Sequence, residues 1–104
     1  MEHRNDRDVP FKNGVSGSKY LFIDEKKYAF GTAYLRPGDE IKEHTHPDES
    51  ELFYFISGAP KFIIEGREWR VSPGDAFKAL VNEKHHLIND TKDVVHLNFI
   101  KVKE

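Results

Sequence analysis

Two histidines one residue apart, His44 and His46, followed by Glu51, are the residues of this sequence best suited to chemistry. In an extended strand, side chains two apart project from the same face, so the two imidazoles would point together into whatever that face encloses. The next segment, Glu51-Leu52-Phe53-Tyr54-Phe55-Ile56, is aromatic and β-branched and reads as a second strand. The link Pro47-Asp48-Glu49-Ser50 is short enough for a turn that folds this strand back beside the first, which would bring Glu51 in front of the imidazoles. Two imidazoles and a carboxylate converging in this way form a ligand set for a divalent transition metal. A His-x-His pair alone would read first as solvated polar residues at a strand end. The carboxylate and a second His-bearing segment reverse that reading.

The second segment is His85-His86-Leu87-Ile88-Asn89. If it is extended, His85, Leu87 and Asn89 share one face, and His85 supplies a fourth ligand. Asn89 either continues the same wall or acts as a turn residue ahead of Asp90-Thr91. His86 is expected to be exposed or at an interface. His96, which alternates with Val95, Leu97 and Phe99, is expected to be solvated, and His3, near the start of the chain, has no assigned role.

The 104 residues suffice for one domain with a modest core. A formal charge of −2, with Lys and Arg scattered along the chain, gives no basic stripe for nucleic acid and no polybasic membrane patch. No apolar run approaches the roughly 20 residues of a membrane span. The polar, mixed-charge start is not expected to be a secretory signal. Cysteine is absent, so neither disulfides nor a thiol nucleophile are available, and a bound metal must be held by nitrogen and oxygen donors. The default expectation is a soluble cytoplasmic protein.

The elements that must position these donors are short and regularly punctuated. Residues 1–19 read as an N-terminal tail and edge segment: Val9-Pro10-Phe11 could add a short edge strand, and residues 13–18 form a loop by composition. Strands are expected at residues 20–24, 28–35, through the first His pair, at 51–56, 76–81, 85–89 and 94–102. A hairpin with strands at 62–65 and 68–71 is expected around Gly66-Arg67. No window carries a convincing 3.6-residue apolar period. Many short strands separated by frequent turns imply an all-β sandwich or small barrel over residues 20–104. If Glu51 points inward, so do Phe53 and Phe55, while Leu52, Tyr54 and Ile56 face outward. An apolar outer face calls for a cover, which a homodimer or another layer of the same chain would provide.

The first stretch resembles, without a gap, the first signature of the cupin superfamily: Gly38, five residues, His44-x-His46, four residues, Glu51, six residues, Gly58. The second signature is partly present: Gly74, five residues, Leu80-x-Asn82, two residues, His85, three residues, Asn89. Cupins usually carry Pro and Gly where this chain has Leu80 and Asn82. Asn tolerates positive φ, so Asn82 is expected to keep the turn. The resemblance covers roughly residues 20–102 and implies a double-stranded β-helix, or jelly-roll barrel. It further implies one divalent metal (Mn, Fe, Ni, Zn or Cu) held by His44, His46, Glu51 and His85 inside one end, with about two positions of an octahedral ion left open.

The fold alone gives no activity. The resemblance suggests a metal-dependent enzyme, dioxygenase-, decarboxylase- or isomerase-like, acting on a small anionic or carbonyl-containing molecule. Its pocket would be lined by Phe53, Phe55, Phe77 and Leu87. Glu40, Lys42 and Tyr34 are the candidates for acid–base work. Oxalate decarboxylases and oxidases, similar in ligand set, place an Arg three residues before the first His, where this chain has Ile41; that lowers oxalate chemistry. Intact ligands disfavour the metal-free sugar-modifying cupins. The alternative is a non-catalytic module that uses the ion to anchor a small ligand or the fold.

Overall fold

The computed structural model describes residues 1–12 and 14–104. Its nine strands are β1 (Gly17–Asp24), β2 (Tyr28–Leu35), β3 (Glu40–His44), β4 (Glu49–Ser57), β5 (Lys61–Ile64), β6 (Arg67–Arg70), β7 (Ala76–Ala79), β8 (His85–Ile88) and β9 (Val95–Lys103). A single 3-10 turn, Asp6–Asp8, precedes them. The strands form a five-stranded sheet in the order β1-β2-β9-β4-β7 and a four-stranded sheet in the order β3-β8-β5-β6. This is the expected all-β jelly roll. Among the described residues, no helix is long and apolar enough to cross a membrane.

Alternation along the two longest strands sets the core. On β4 the inward phase is Glu51, Phe53 and Phe55, all buried, while Leu52, Tyr54 and Ile56 are exposed. On β9 the inward phase opens with Val95, Leu97 and Phe99, again buried. The two strands pair over nearly their full length, with Phe53 opposite Phe99 and Phe55 opposite Leu97. From the facing sheet, Phe62 and Leu87 close the core. Gly31 on β2 marks a close approach: a Cβ there would lie 2.3 Å from the Lys19 carbonyl and 2.6 Å from the Phe99 ring. Only glycine lets β1, β2 and that ring meet so tightly.

One expected pairing is corrected. β4 does not fold back beside β3; it lies in the opposite sheet, between β9 and β7, while β3 pairs with β8. The link after His44 therefore carries the chain from one sheet to the other. Its length permits either path, and the long complementary run of β9 decides. The hairpin also moves by one residue: Ile64 faces Arg67, so the two-residue loop is Glu65-Gly66. Both loop residues have positive φ, 49° and 77°, the pattern of a tight hairpin whose twist matches its strands.

The N-terminal segment forms no edge strand at Val9-Pro10-Phe11; Phe11 makes an isolated bridge to Gly14. Of the loop expected at residues 13–18, Asn13 lies outside the described residues, and Gly17 and Ser18 belong to β1. The segment instead folds over the outer face of the larger sheet. There Lys19 donates to the Asp6 carbonyl at 3.0 Å and to its carboxylate at 2.8 Å, and the Tyr34 hydroxyl donates to the same carboxylate. Phe11 stands edge-on to Tyr34, with the Lys19 ammonium 4.5 Å from the Phe11 ring centre.

Candidate metal centre

The four donors come from both sheets. His44 ends β3 and His85 begins β8, directly opposite each other in the antiparallel register. Glu51 enters from β4 in the facing sheet. His46 lies beyond β3, in the link between the sheets, where its backbone carbonyl accepts the Asn82 N–H at 2.8 Å. Asn82 has φ of +66°, so it keeps the turn as expected, and its neighbour Leu80 is exposed. The His44 and His46 rings meet edge to face, 4.9 Å between centres, although only His44 belongs to a strand. His44 and His85 are 4.3 Å apart on the same measure.

One donor atom from each of His44, His46, Glu51 and His85 lies within 4.8 Å of every other. Glu51 Oε1 is 3.1 Å from His46 Nε2 and 3.3 Å from His85 Nε2. Metal–ligand bonds of about 2.1 Å place adjacent donors about 3 Å apart and opposite ones about 4.2 Å apart. The donor set thus fits one ion with little movement. Ring orientation points the same way. Nδ1 of His44 donates to the Lys42 carbonyl at 2.7 Å, and Nδ1 of His85 to the Glu83 carbonyl at 3.1 Å. Nδ1 of His46 lies 3.3 Å from the Glu49 carboxylate. Each Nδ1 proton facing an oxygen leaves Nε2 with a lone pair directed at the common point. His85 Nε2 is buried and misaligned for a hydrogen bond with Glu51 despite the 3.3 Å contact, so it has no hydrogen-bond partner among the described residues. A buried nitrogen left in that state is costly unless something else occupies its lone pair.

The electrostatics separate the imidazoles. Burial pushes the His44 pKa down, helped by the neighbouring His85 and His46 and only partly offset by the Lys42 carbonyl. At His85 burial also works downward, but Glu51 and the Glu83 carbonyl outweigh it and the net shift is upward.

A cavity of about 60 Å³ opens directly on the donors, with His44, Glu51 and His85 forming part of its wall. Phe53, Phe62 and Leu87 are also part of its wall. Phe55 and Phe77 do not reach it. The Phe62 ring packs against both, at 5.8 and 5.2 Å between centres, and leaves them in the core beyond. The acid–base candidates also lie elsewhere. Glu40 is exposed and 3.0 Å from His86 Nε2, and Lys42 is exposed on an outer groove. Tyr34 points out of the barrel because Ala33 and Leu35 take the inward phase of β2. Burial and the Asp6 carboxylate push its pKa up to about 12.

His96 is only partly exposed. It stacks on Tyr34 with ring centres 4.1 Å apart, and Nε2 lies 2.8 Å from Thr32 Oγ1, which itself donates to the Leu97 carbonyl. The N-terminal segment covering that face accounts for the difference. Asn89 is fully buried and donates to the Leu35 and Asp93 carbonyls while accepting from Thr91, so it ties strand ends together rather than lining the site. Among the cavity residues not singled out from sequence are two with polar groups at its opening, Tyr20 on β1 and Lys101 on β9. Lys101 continues the inward phase of Val95, Leu97 and Phe99, which is the signal that marks it.

The sequence profile of the cupin domain matches residues 31–101. The chain belongs to the cupin family. Among solved cupin-like structures, it superposes on a predicted oxalate decarboxylase from Thermotoga maritima with a TM-score of 0.84 and 20% identity, covering all of both chains. KdgF from Halomonas sp. gives a TM-score of 0.79 at 18% identity over 100% of this cupin and 96% of that chain. The polyketide synthase CurC of Streptomyces cyaneus is 26% identical over 72 residues, 65% of this chain. This cupin spans about half of that relative, 47% of its length.

Proposed function

We propose that this cupin is a metal-dependent enzyme acting on a small organic acid, carbonyl or enediol compound. The carrying observation is that the cavity and the donor set are continuous: three of the four ligands are also cavity wall. A divalent ion held by His44, His46, Glu51 and His85 supplies Lewis acidity toward a carbonyl or carboxylate oxygen. The chain does the rest. The Lys42 and Glu83 carbonyls and the Glu49 carboxylate fix the ring orientations. Phe53, Phe62 and Leu87 keep the far side of the cavity dry, which strengthens every charge interaction inside it. The reaction classes in keeping with this arrangement are dioxygenase-, decarboxylase- and isomerase-like. A similar structure described as a predicted oxalate decarboxylase supports a small acid as substrate. Ile41, on the cavity wall where oxalate cupins carry Arg, argues for an acid other than oxalate.

A second reading, a non-catalytic binder in which the ion anchors a ligand, is favoured by one observation: Glu40, Lys42 and Tyr34 all lie off the cavity. Elemental analysis of protein purified without added metal, then a turnover screen on keto acids, dicarboxylates and catechols, decides between the two. Bound metal with turnover supports the enzyme. Bound metal with saturable binding of an acid but no turnover supports the binder, and absence of metal uptake overturns both. We also propose a homodimer, supported by the exposed apolar side chains Leu52, Tyr54 and Ile100 on the outer face of the larger sheet.

A further inference from the structure

Between the cavity and the solvent stands a pair of side chains that the metal site does not use. Lys101 donates to the Tyr20 hydroxyl at 2.8 Å, and both residues line the inner cavity and a wider outer groove of about 430 Å³. They therefore form its neck, together with Ser18 and Ile41. A lysine on the inward phase of a barrel strand is unusual, because three residues of the same phase, Val95, Leu97 and Phe99, are apolar and buried. Its register partner on β4 is the ligand Glu51, yet among the described residues Lys101 enters no ion pair.

Counting donors shows what the pair can hold. An ammonium has three N–H bonds, of which Tyr20 takes one. Tyr20 accepts that bond, and its own O–H proton has no acceptor among the described residues. The ring of Tyr20 is fixed edge-on against Phe99, 5.4 Å between centres, with the Lys12 ammonium 5.3 Å from its centre on the groove side. The hydroxyl is thus held in place beside the Lys101 ammonium. The outer groove carries charge of both signs, Lys12 and Lys42 beside Asp39 and Glu40, so the cation at the neck itself is Lys101.

We infer that Lys101 and Tyr20 bind the carboxylate of a short oxo- or hydroxy-acid whose second oxygen is directed at the metal ligands. This inference rests on the metal-dependent reading above and assigns its substrate class. The small cavity admits only a compact acid, and the apolar wall of Phe53, Phe62 and Leu87 disfavours a second charged group at the far end.

The test uses the full chain loaded with cobalt(II), whose visible spectrum reports both the donor set and the entry of a ligand, titrated with pyruvate and with pyruvamide. Lys101→Met is expected to leave the cobalt spectrum unchanged and to weaken pyruvate binding by about 10- to 100-fold, the range for loss of a hydrogen bond to a charged group. Lys101→Arg, which keeps the charge in a different shape, should bind pyruvate more tightly than Lys101→Met, and pyruvamide should bind parent and Lys101→Met alike. Equal pyruvate affinity in parent and Lys101→Met, with the same cobalt spectrum, overturns the inference and leaves the metal reading intact. Tyr20→Phe, which removes one oxygen, asks the same question if Lys101→Met does not fold, and an unchanged affinity there is equally fatal. Failure of the parent to take up cobalt would sink the metal reading; pyruvate binding to the metal-free chain that still depends on Lys101 would then support the carboxylate site, and independence from Lys101 would overturn it.

Discussion

Replacing Glu51 by Gln tests the metal centre most directly, because the variant keeps the side chain's shape and removes only its charge. In the parent, one carboxylate oxygen lies 3.1 and 3.3 Å from two imidazole nitrogens, so an ion bound there would take it as a ligand rather than as an outer partner. Changes to outer partners of metal ligands weaken affinity about 10- to 100-fold, so loss of the ligand itself should cost at least about 100-fold. At an ion concentration about 100 times its dissociation constant, the parent gains about 2.7 kcal/mol. For a domain of this size that raises Tm by about 10 to 20 °C. At the same concentration Glu51→Gln would sit near its own dissociation constant. It would then gain only about 0.4 kcal/mol, a shift of about 2 to 3 °C. Differential scanning calorimetry with Mn, Ni and Zn measures both, and isothermal titration gives the affinities independently. His96→Gln, at a histidine outside the cluster, is the control and should keep the full shift. A Glu51→Gln protein that retains the parental shift, or a His96→Gln protein that loses it, would refute the assignment of these four donors.

Other expectations follow from other parts of the molecule. Asn89→Ala strands the buried Leu35 carbonyl and frees the Thr91 loop. It should cost about 3 kcal/mol, read as a lower denaturant midpoint at unchanged slope; a loss below about 1 kcal/mol would count against the buried network. Tyr34 has a folded pKa of about 12, raised above the ordinary value of about 10. Its contribution to stability is therefore complete below pH 10 and is lost as the pH rises through about 12. The tyrosinate absorbance of the parent minus that of Tyr34→Phe should show a midpoint near 12, and a midpoint near 10 would place Tyr34 away from Asp6. At Asp6, burial raises the pKa, but the hydrogen bonds from Lys19 and Tyr34 outweigh it and the net shift is downward. Its stabilisation is present above the unfolded value of about 3.9 and disappears as the pH falls through the folded one. Limited proteolysis with an acid protease should cut the N-terminal segment faster below that point than at pH 5. If two copies pair through the outer sheet face, Leu52→Lys should convert a sedimenting dimer to monomer without changing metal uptake; a parent that sediments as a monomer removes the proposal.

The ligands and most strands were legible because their signals are local. Spacing put His44, His46 and Glu51 near one another, and alternation gave the inward phase of β4 correctly. The partner of β4 was not legible: Pro47-Asp48-Glu49-Ser50 fits a hairpin or a crossing equally well, and the choice rests on β9, more than forty residues later. His96 was misjudged for a related reason. Its outward phase is real, but what lies outside is the N-terminal segment, brought there by Asp6, Lys19 and Tyr34 from three separate places in the chain. Lys101 was readable in principle, as a charge in the buried phase of an otherwise apolar strand, whereas Tyr20 gains meaning only once Lys101 is seen against it.

Because His44 and His85 belong to one sheet and Glu51 to the other, an ion between them acts as a cross-tie at the barrel mouth. Separating the sheets there and releasing the ion become the same event. Metal exchange should then keep pace with backbone opening of β3 and β8, and amide hydrogen exchange in those two strands should slow when the ion binds, while β6 at the far edge is unaffected. If the proposed enzyme reading holds, a substrate too large for the closed mouth would enter only while such a tie is strained, so the rigidity that would retain the ion would also set the size of what it could meet.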